Sequence, residues 1–181
     1  MLSLRSKVTQ KLLNYYFLNQ GKKCYINELA TVLNIDKRNL VKKINELEKE
    51  GLFFSEQQGN LRLVSINKKF PFINEYKKIF LKTVGFEKKL QESLNNVQGV
   101  SQVIVFGSYA QDQLNIHSDI DLLIIGEHSL LKAQEIISEL QKRTGREINP
   151  IHMDPNEFNE RKKKNDPLIK NILESKHIRI V

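Results

Sequence analysis

Apolar residues in the first third of the chain recur at helical spacing three times and then in two short extended runs. Gly21 and Gly51 are typical helix ends, and Asn27 and Asp36 are typical N-caps for the second and third helices. The two extended runs surround a polar turn at 57–60, which is typical of a β-hairpin. The pattern therefore predicts, in chain order, three helices and two strands over 4–18, 28–33, 37–50, 52–56 and 61–66.

Two further helical stretches occupy the middle of the chain. Residues 71–84 and 86–96 each carry one apolar side, and Gly85 separates them. We interpret them as connecting helices that could pack on either neighbouring domain or form a homodimer contact. The domain boundary is therefore expected within 70–96.

From residue 97 onward, short apolar runs alternate with helical stretches. Pro155 and Pro167 are placed for the first turns of two helices near the end of the chain. A strand–helix–strand return before them would bring two strands side by side. The pattern predicts strands over 103–106, 119–125, 146–151 and 178–181, with a helix over 130–140. The whole chain is thus expected to be α+β.

The candidate chemistry lies at the end of one predicted strand and the start of the next. Val103–Phe106 leads into Gly107 and Ser108, where glycine lets the backbone approach a ligand and a following helix start favours an anion. Asp119 and Asp121 are two residues apart on a strand, so their carboxylates point to the same side. A shared divalent cation would relieve their repulsion, and magnesium prefers such oxygen ligands. An Asp-x-Asp pair can also be a turn, and Gly-Ser is common in loops.

These residues together resemble a known signature. Gly107-Ser108, a spacer, and then Ser118-Asp119-Ile120-Asp121-Leu122 are similar to the motif of the DNA polymerase β-type nucleotidyltransferases, in particular the minimal nucleotidyltransferase branch. The resemblance covers about 97–154. It implies a third carboxylate on a neighbouring strand, for which Glu147 is the best candidate; the alternative is that Glu147 is a solvent-facing strand residue. Many relatives carry a glycine where this chain has Asp112.

The N-terminal elements resemble a winged helix-turn-helix domain over about 3–68. In such a domain the third helix reads nucleic acid and the hairpin is the wing. The resemblance implies phosphate contacts from basic residues and a base contact from Asn39, although winged helices also serve as protein docking modules. The candidate DNA-binding residues are Lys37, Arg38, Asn39, Lys42, Lys43 and Arg62.

Charge and composition support a soluble protein with a basic N-terminal half. The formal net charge is +8, and residues 1–98 carry 18 Lys and Arg against 9 Asp and Glu. That excess fits a segment that faces nucleic acid, though it is also common on solvated surfaces. No stretch has the character of a signal peptide or a membrane span, so a cytoplasmic location without membrane partners is expected. The single cysteine, Cys24, is expected to be buried, and no zinc-type ligand spacing is present.

The resemblances imply a winged helix-turn-helix domain at 1–69, connecting helices at 70–96 and a nucleotidyltransferase-like domain with a mixed sheet at 97–181. The implied activity is magnesium-dependent transfer of a nucleoside monophosphate, expected to be AMP from ATP, to a protein or other hydroxyl acceptor. Asp119 and Asp121 would bind the magnesium that accompanies the nucleotide and, with Glu147, a second magnesium that activates the attacking hydroxyl. Gly107 and Ser108 would bind the β- and γ-phosphates. Two alternatives are a transcriptional regulator that senses a nucleotide without turnover and a structural partner-binding protein.

Overall fold

The computed structural model describes residues 6–115 and 117–181, and the chain divides into two compact units. The first comprises the residues up to Phe86 together with Arg143–Gly145, and the second comprises Glu87–Lys142 and Arg146–Val181. The division at 1–69, 70–96 and 97–181 stays a prediction, because compactness alone does not say which segments fold independently. No helix in the described residues combines the length and apolar character that crossing a membrane requires.

Short helices and a three-stranded sheet make up the first unit. The strands are antiparallel in the order β1-β3-β2. Leu4, the predicted start of the first helix, lies outside the described residues. In chain order the elements are α1 (Lys7–Leu18), β1 (Cys24–Tyr25), α2 (Ile26–Leu33), α3 (Lys37–Lys49), β2 (Phe53–Gln58), β3 (Leu61–Ile66) and α4 (Ile73–Thr83).

Helix caps in this unit follow the predictions at one position and depart from them at another. Asp36 caps α3 as predicted, since its carboxylate accepts hydrogen bonds from the backbone N–H groups of Arg38 and Asn39, both at 3.1 Å. Asn27 was predicted to cap α2, but the helix already begins at Ile26 and Tyr25 is its N-cap. Ile26 is buried, so the packing of its side chain makes the helix begin before the predicted cap residue, Asn27.

Aromatic side chains fill much of the core of the first unit. Tyr16 of α1 is fully buried and packs edge-on against Phe53, with ring centroids 5.1 Å apart. Its hydroxyl donates a hydrogen bond to the Val64 carbonyl at 2.8 Å, so the ring adds apolar burial without leaving its polar atom unpaired. Cys24 is a free, buried cysteine, as expected, and burial raises the pKa of its thiol.

A four-stranded mixed sheet with helices makes up the second unit. The strand order is β6-β5-β4-β7, with β5 and β6 parallel and the other neighbours antiparallel. The strand–helix–strand return and a strand near the C-terminus are confirmed. The elements are α5 (Phe86–Asn95), β4 (Val100–Phe106), α6 (Gly107–Ala110), β5 (Ile120–Gly126), α7 (Leu130–Thr144), β6 (Ile148–Met153), α8 (Pro155–Lys163), α9 (Pro167–Glu174) and β7 (Ile178–Arg179). The chain is therefore a mixed α+β protein.

The two C-terminal helices cover one face of this sheet. Proline begins each helix as predicted, and Asp154 and Asp166 cap them through side-chain hydrogen bonds to the backbone. Their buried residues pack on those of the central strands in one cluster: Ile104, Leu123, Ile125, Met153, Phe158, Ile169 and Ile172. Asp121 is the one polar side chain of β5, and it stands at the second position of the strand.

Candidate active site

The turn after β4 lies directly against one of the candidate carboxylates. Phe106 pairs with Asp121 across the antiparallel β4–β5 ladder, and Gly107 follows with a φ of +69°. A Cβ added at Gly107 would lie 2.3 Å from Asp121 Oδ2, far closer than such contacts allow. Glycine is therefore required at 107 for two reasons: the backbone conformation, and the space that the Asp121 carboxylate occupies.

Helix α6, which follows the turn, is short and anchored by a buried hydrogen bond. It has four residues, so its dipole is small and any anion would be bound mainly by individual backbone N–H groups. Tyr109 is buried, and its hydroxyl donates to Glu87 Oε1 at 3.0 Å. Burial, and then the Glu87 charge, raise the pKa of Tyr109 well above its usual range. This bond ties the turn to α5.

Asp119 directly precedes β5 and Asp121 is its second residue; both are half-buried, and Ile120 between them is fully buried. Burial, followed by the nearby charge of Asp119, raises the pKa of Asp121. The ionised pair is therefore unfavourable by itself, and a positive charge nearby would stabilise it. Two carboxylates are also what a magnesium-type cation takes from a protein when substrate phosphates supply its other oxygens, so this donor set fits one divalent cation.

Strand β6 brings Asn149 beside Asp121, and Glu147 comes just before that strand. Asp121 pairs with Asn149, and the backbone N–H of Ile120 donates to the Glu147 carbonyl at 3.0 Å. Glu147 immediately precedes β6 and is exposed. Since residues in register on neighbouring strands share a face, Asn149 lies on the same face as Asp121. In the described part of the chain, no group of three or more His, Cys, Asp or Glu side chains could hold a metal ion. The ligand role of Glu147 stays a prediction.

Asn149 is a site residue that the sequence analysis missed. Its side-chain Nδ2 donates to Asp119 Oδ2 at 3.2 Å. It stands two residues after Glu147, the spacing that puts strand side chains on one face, and this spacing was the signal that could have identified it.

Arg146 is a second residue that sequence reasoning missed. Its side chain is buried, and Nη1 donates to the carbonyls of Asn115 at 2.7 Å and Ser118 at 2.5 Å. Asn115 itself accepts a hydrogen bond from the His117 N–H through its side chain, at 2.9 Å. A buried guanidinium therefore holds the loop that ends at Asp119, and the position of this carboxylate does not depend on the strand alone.

The candidate DNA-binding residues differ in how far they are free to reach a ligand. Lys43 forms an ion pair with Glu46, and Arg62 forms one with Glu48 and donates to Ser55 Oγ at 2.8 Å. The side chains of Lys43 and Arg62 are thus already paired with other residues of the first unit. The remaining candidates are exposed and lie in the first half of α3: Lys37, Arg38, Asn39 and Lys42.

Comparison with known proteins agrees with the geometry of the second unit. The family model for a nucleotidyltransferase domain matches residues 86–180. A proposed protein adenylyltransferase of Methanocaldococcus jannaschii is 32% identical over 93 residues, which is 49% of this chain and 91% of the relative. A proposed nucleotidyltransferase from Sulfolobus solfataricus, solved at 1.40 Å, overlaps 41% of this chain and 68% of its own at 20% identity and a TM-score of 0.30.

The first two of these matches carry the assignment. The family model spans more than half of the chain and includes Gly107, Ser108, Asp119 and Asp121. The structural overlap is too low to add to it. The chain therefore belongs to the nucleotidyltransferase domain family, as the Gly-Ser and Asp-x-Asp motifs predicted, and is a nucleotidyltransferase.

Proposed function

We propose that the protein transfers AMP from ATP to a hydroxyl group of a partner protein, with a divalent cation, expected to be Mg²⁺, bound by Asp119 and Asp121. The observation that carries this proposal is the contact between the Gly107 turn and Asp121. A turn that could bind phosphates and a carboxylate pair that favours a cation lie side by side, as a nucleoside triphosphate with its cation requires. The protein acceptor is suggested by the adenylyltransferase relative.

In this mechanism the residues of the chain mainly bind and orient. Gly107 and Ser108 hold the β- and γ-phosphates through the backbone and the serine hydroxyl, so that pyrophosphate can leave. Asp119 and Asp121 hold the cation, and Glu147 is the proposed further carboxylate ligand. The cation, when bound, neutralises phosphate charge and lowers the pKa of a bound hydroxyl. Positioning and charge neutralisation supply most of the rate enhancement in such a site.

A labelling experiment tests this function. The protein is incubated with ATP labelled on the α-phosphate, Mg²⁺ and a cell extract, and transfer of label to protein bands is measured. We expect Asp119→Asn and Asp121→Asn to lower transfer at least about 100-fold, because even the loss of an outer-shell partner of a metal ligand costs about 10–100-fold. Glu127→Gln, which removes an exposed carboxylate just after β5, should label like the unmodified protein.

Two outcomes would contradict the enzyme function. Equal labelling by the aspartate variants and the unmodified protein would mean that the carboxylate pair is not catalytic. Saturable ATP binding without any transfer would favour the nucleotide-sensing regulator. The Glu147→Gln variant belongs in the same assay, since its activity decides whether this residue is a ligand.

We also propose that the first unit is a winged helix-turn-helix that binds duplex DNA. Three helices followed by an antiparallel hairpin support this assignment, and Asp36 caps the helix that carries the exposed basic side chains. Lys43 and Arg62, although candidates, are held in ion pairs, so we expect the main phosphate contacts from the exposed part of α3. Asn39, in its first turn, is the candidate for a base contact.

Fluorescence anisotropy with labelled duplex DNA across a salt series tests this second proposal. The double variant Arg38→Ala/Lys42→Ala should bind more weakly and lose about 0.9 from the salt slope for each phosphate contact removed. Lys88→Ala/Lys89→Ala removes the same charge from a helix of the second unit and is the matched control. If both variants lose affinity equally, binding reflects net charge alone. If the unmodified protein does not bind at low salt, a protein docking module is the better account.

A further inference from the structure

Asn149 occupies a central position in the acidic site although it carries no charge. It stands in register beside Asp121, and its side-chain amide donates to Asp119 Oδ2 at 3.2 Å. Asn149 is itself exposed and at the start of β6, so it contributes little to the packing of the unit. A hydrogen bond from an exposed amide to a candidate metal ligand indicates a role in the site rather than in the core.

We propose that Asn149 is a positioning residue for the acidic pair: its amide fixes Asp119 for cation binding, and its neutrality keeps the affinity for a free cation low until a nucleotide is present. This inference rests on the proposed nucleotide-binding function of the site. The cation then arrives with the nucleotide, whose phosphate oxygens complete the ligand set that two carboxylates begin.

The positioning role follows from the hydrogen bond. A carboxylate at the start of a strand can rotate about its side-chain bonds, and each orientation that cannot bind the cation lowers the affinity. The Asn149 amide fixes one oxygen of Asp119 and leaves the other oxygen free for a ligand. The Arg146 side chain fixes the preceding backbone at Ser118, so both ends of the aspartate are held.

The role of neutrality follows from the register. An aspartate at 149 would stand beside Asp121 on the same face, and the two existing carboxylates already repel each other. A third carboxylate would raise the affinity for a divalent cation, because ligand charge count sets that affinity in oxygen-ligand sites. The site would then hold a cation without nucleotide, and the order of binding would be lost.

Binding of Mn²⁺ alone, followed by the EPR signal of the free ion, tests the proposal. We expect Asn149→Ala to bind Mn²⁺ about tenfold more weakly than the unmodified protein, the low end of outer-shell effects. Asn149→Asp should bind at least about tenfold more tightly. Asn159→Asp adds the same charge on an exposed position of α8 and should leave Mn²⁺ affinity unchanged.

Further readouts separate this role from a purely structural one. Thermal unfolding of Asn149→Ala without Mn²⁺ should match that of the unmodified protein, whereas Asn149→Asp should unfold at lower temperature and regain stability when Mn²⁺ is added. With a non-hydrolysable ATP analogue present, the difference in Mn²⁺ affinity between Asn149→Asp and the unmodified protein should become smaller than tenfold. Either Asn149 variant binding Mn²⁺ like the unmodified protein overturns the proposal. Asp121→Asn separates the two hypotheses, since an unchanged Mn²⁺ affinity there would refute the proposed function itself.

Discussion

Replacing Gly107 by alanine should damage activity more than stability. The new Cβ would lie 2.3 Å from Asp121 Oδ2, and real contacts of this kind are essentially never under 3.0 Å, so the carboxylate must move by about 0.7 Å. Displacements approaching 1 Å in an active site cost up to about 100-fold in rate. The backbone conformation, at φ +69°, adds about 1–2 kcal/mol of strain for a residue with a side chain.

A matched variant separates the two effects. Gly59 has a φ of +60°, and a Cβ there would meet nothing within 4 Å. Gly59→Ala therefore carries the same kind of strain without a contact to the site. The assays are nucleotidyl transfer under kcat/KM conditions and chemical denaturation of both variants.

We expect both variants to lose about 1–2 kcal/mol of unfolding free energy, from the left-handed conformation. Only Gly107→Ala should also lose transfer activity, by about 10–100-fold. If Gly107→Ala keeps full activity, then the position of Asp121 is not critical, and the reasoning from the turn is wrong. Equal activity losses in both variants would also refute it, because strain alone would then explain the effect.

Three other changes have expected outcomes. Asp121→Asn should abolish transfer but raise the thermal unfolding temperature of the cation-free protein at pH 7, because the raised pKa of Asp121 means that its negative charge opposes folding. At lower pH, where Asp121 is protonated, calorimetry should give the same unfolding temperature for the variant and the unmodified protein. Tyr109→Phe removes a buried donor to Glu87 and should cost about 1–3 kcal/mol in urea unfolding, and an unchanged midpoint would contradict the role of this bond. Burial and the adjacent His128 lower the pKa of His152 below its usual value of 6.5. Because the unfolded chain then takes up this proton first, the free energy of unfolding should fall as the pH drops from 6.5 through the folded pKa. His152→Gln should make the free energy of unfolding depend less on pH, which urea unfolding at several pH values would measure.

Local sequence signals predicted the elements of the fold well where side chains act on their own backbone. Asp36, Pro155 and Pro167 fix helix starts through one cap or one ring, and the structure agrees at all three. Asn27 carried the same signal, but burial of Ile26 placed the start of α2 earlier. A cap signal therefore holds until tertiary packing opposes it.

The candidate site was predictable only in part, for a related reason. Gly107 and the aspartates form a motif that is read along the chain. Asn149 and Arg146 act through the register of β6 against β5 and through a loop contact, which depend on how α7 returns the chain. The spacing from Glu147 could have marked Asn149 as a candidate, but no local pattern encodes the register that brings its amide to Asp119.

The pairing of Phe106 with Asp121 has a consequence for how the protein would handle its substrate. Hydrogen bonds of the β4–β5 ladder join the Gly107 turn to Asp121, so the two are assembled when the chain folds. The conformational entropy of these two groups is therefore lost during folding, before any ligand arrives. If the turn binds phosphates as proposed, nucleotide binding would need little further ordering of these two groups.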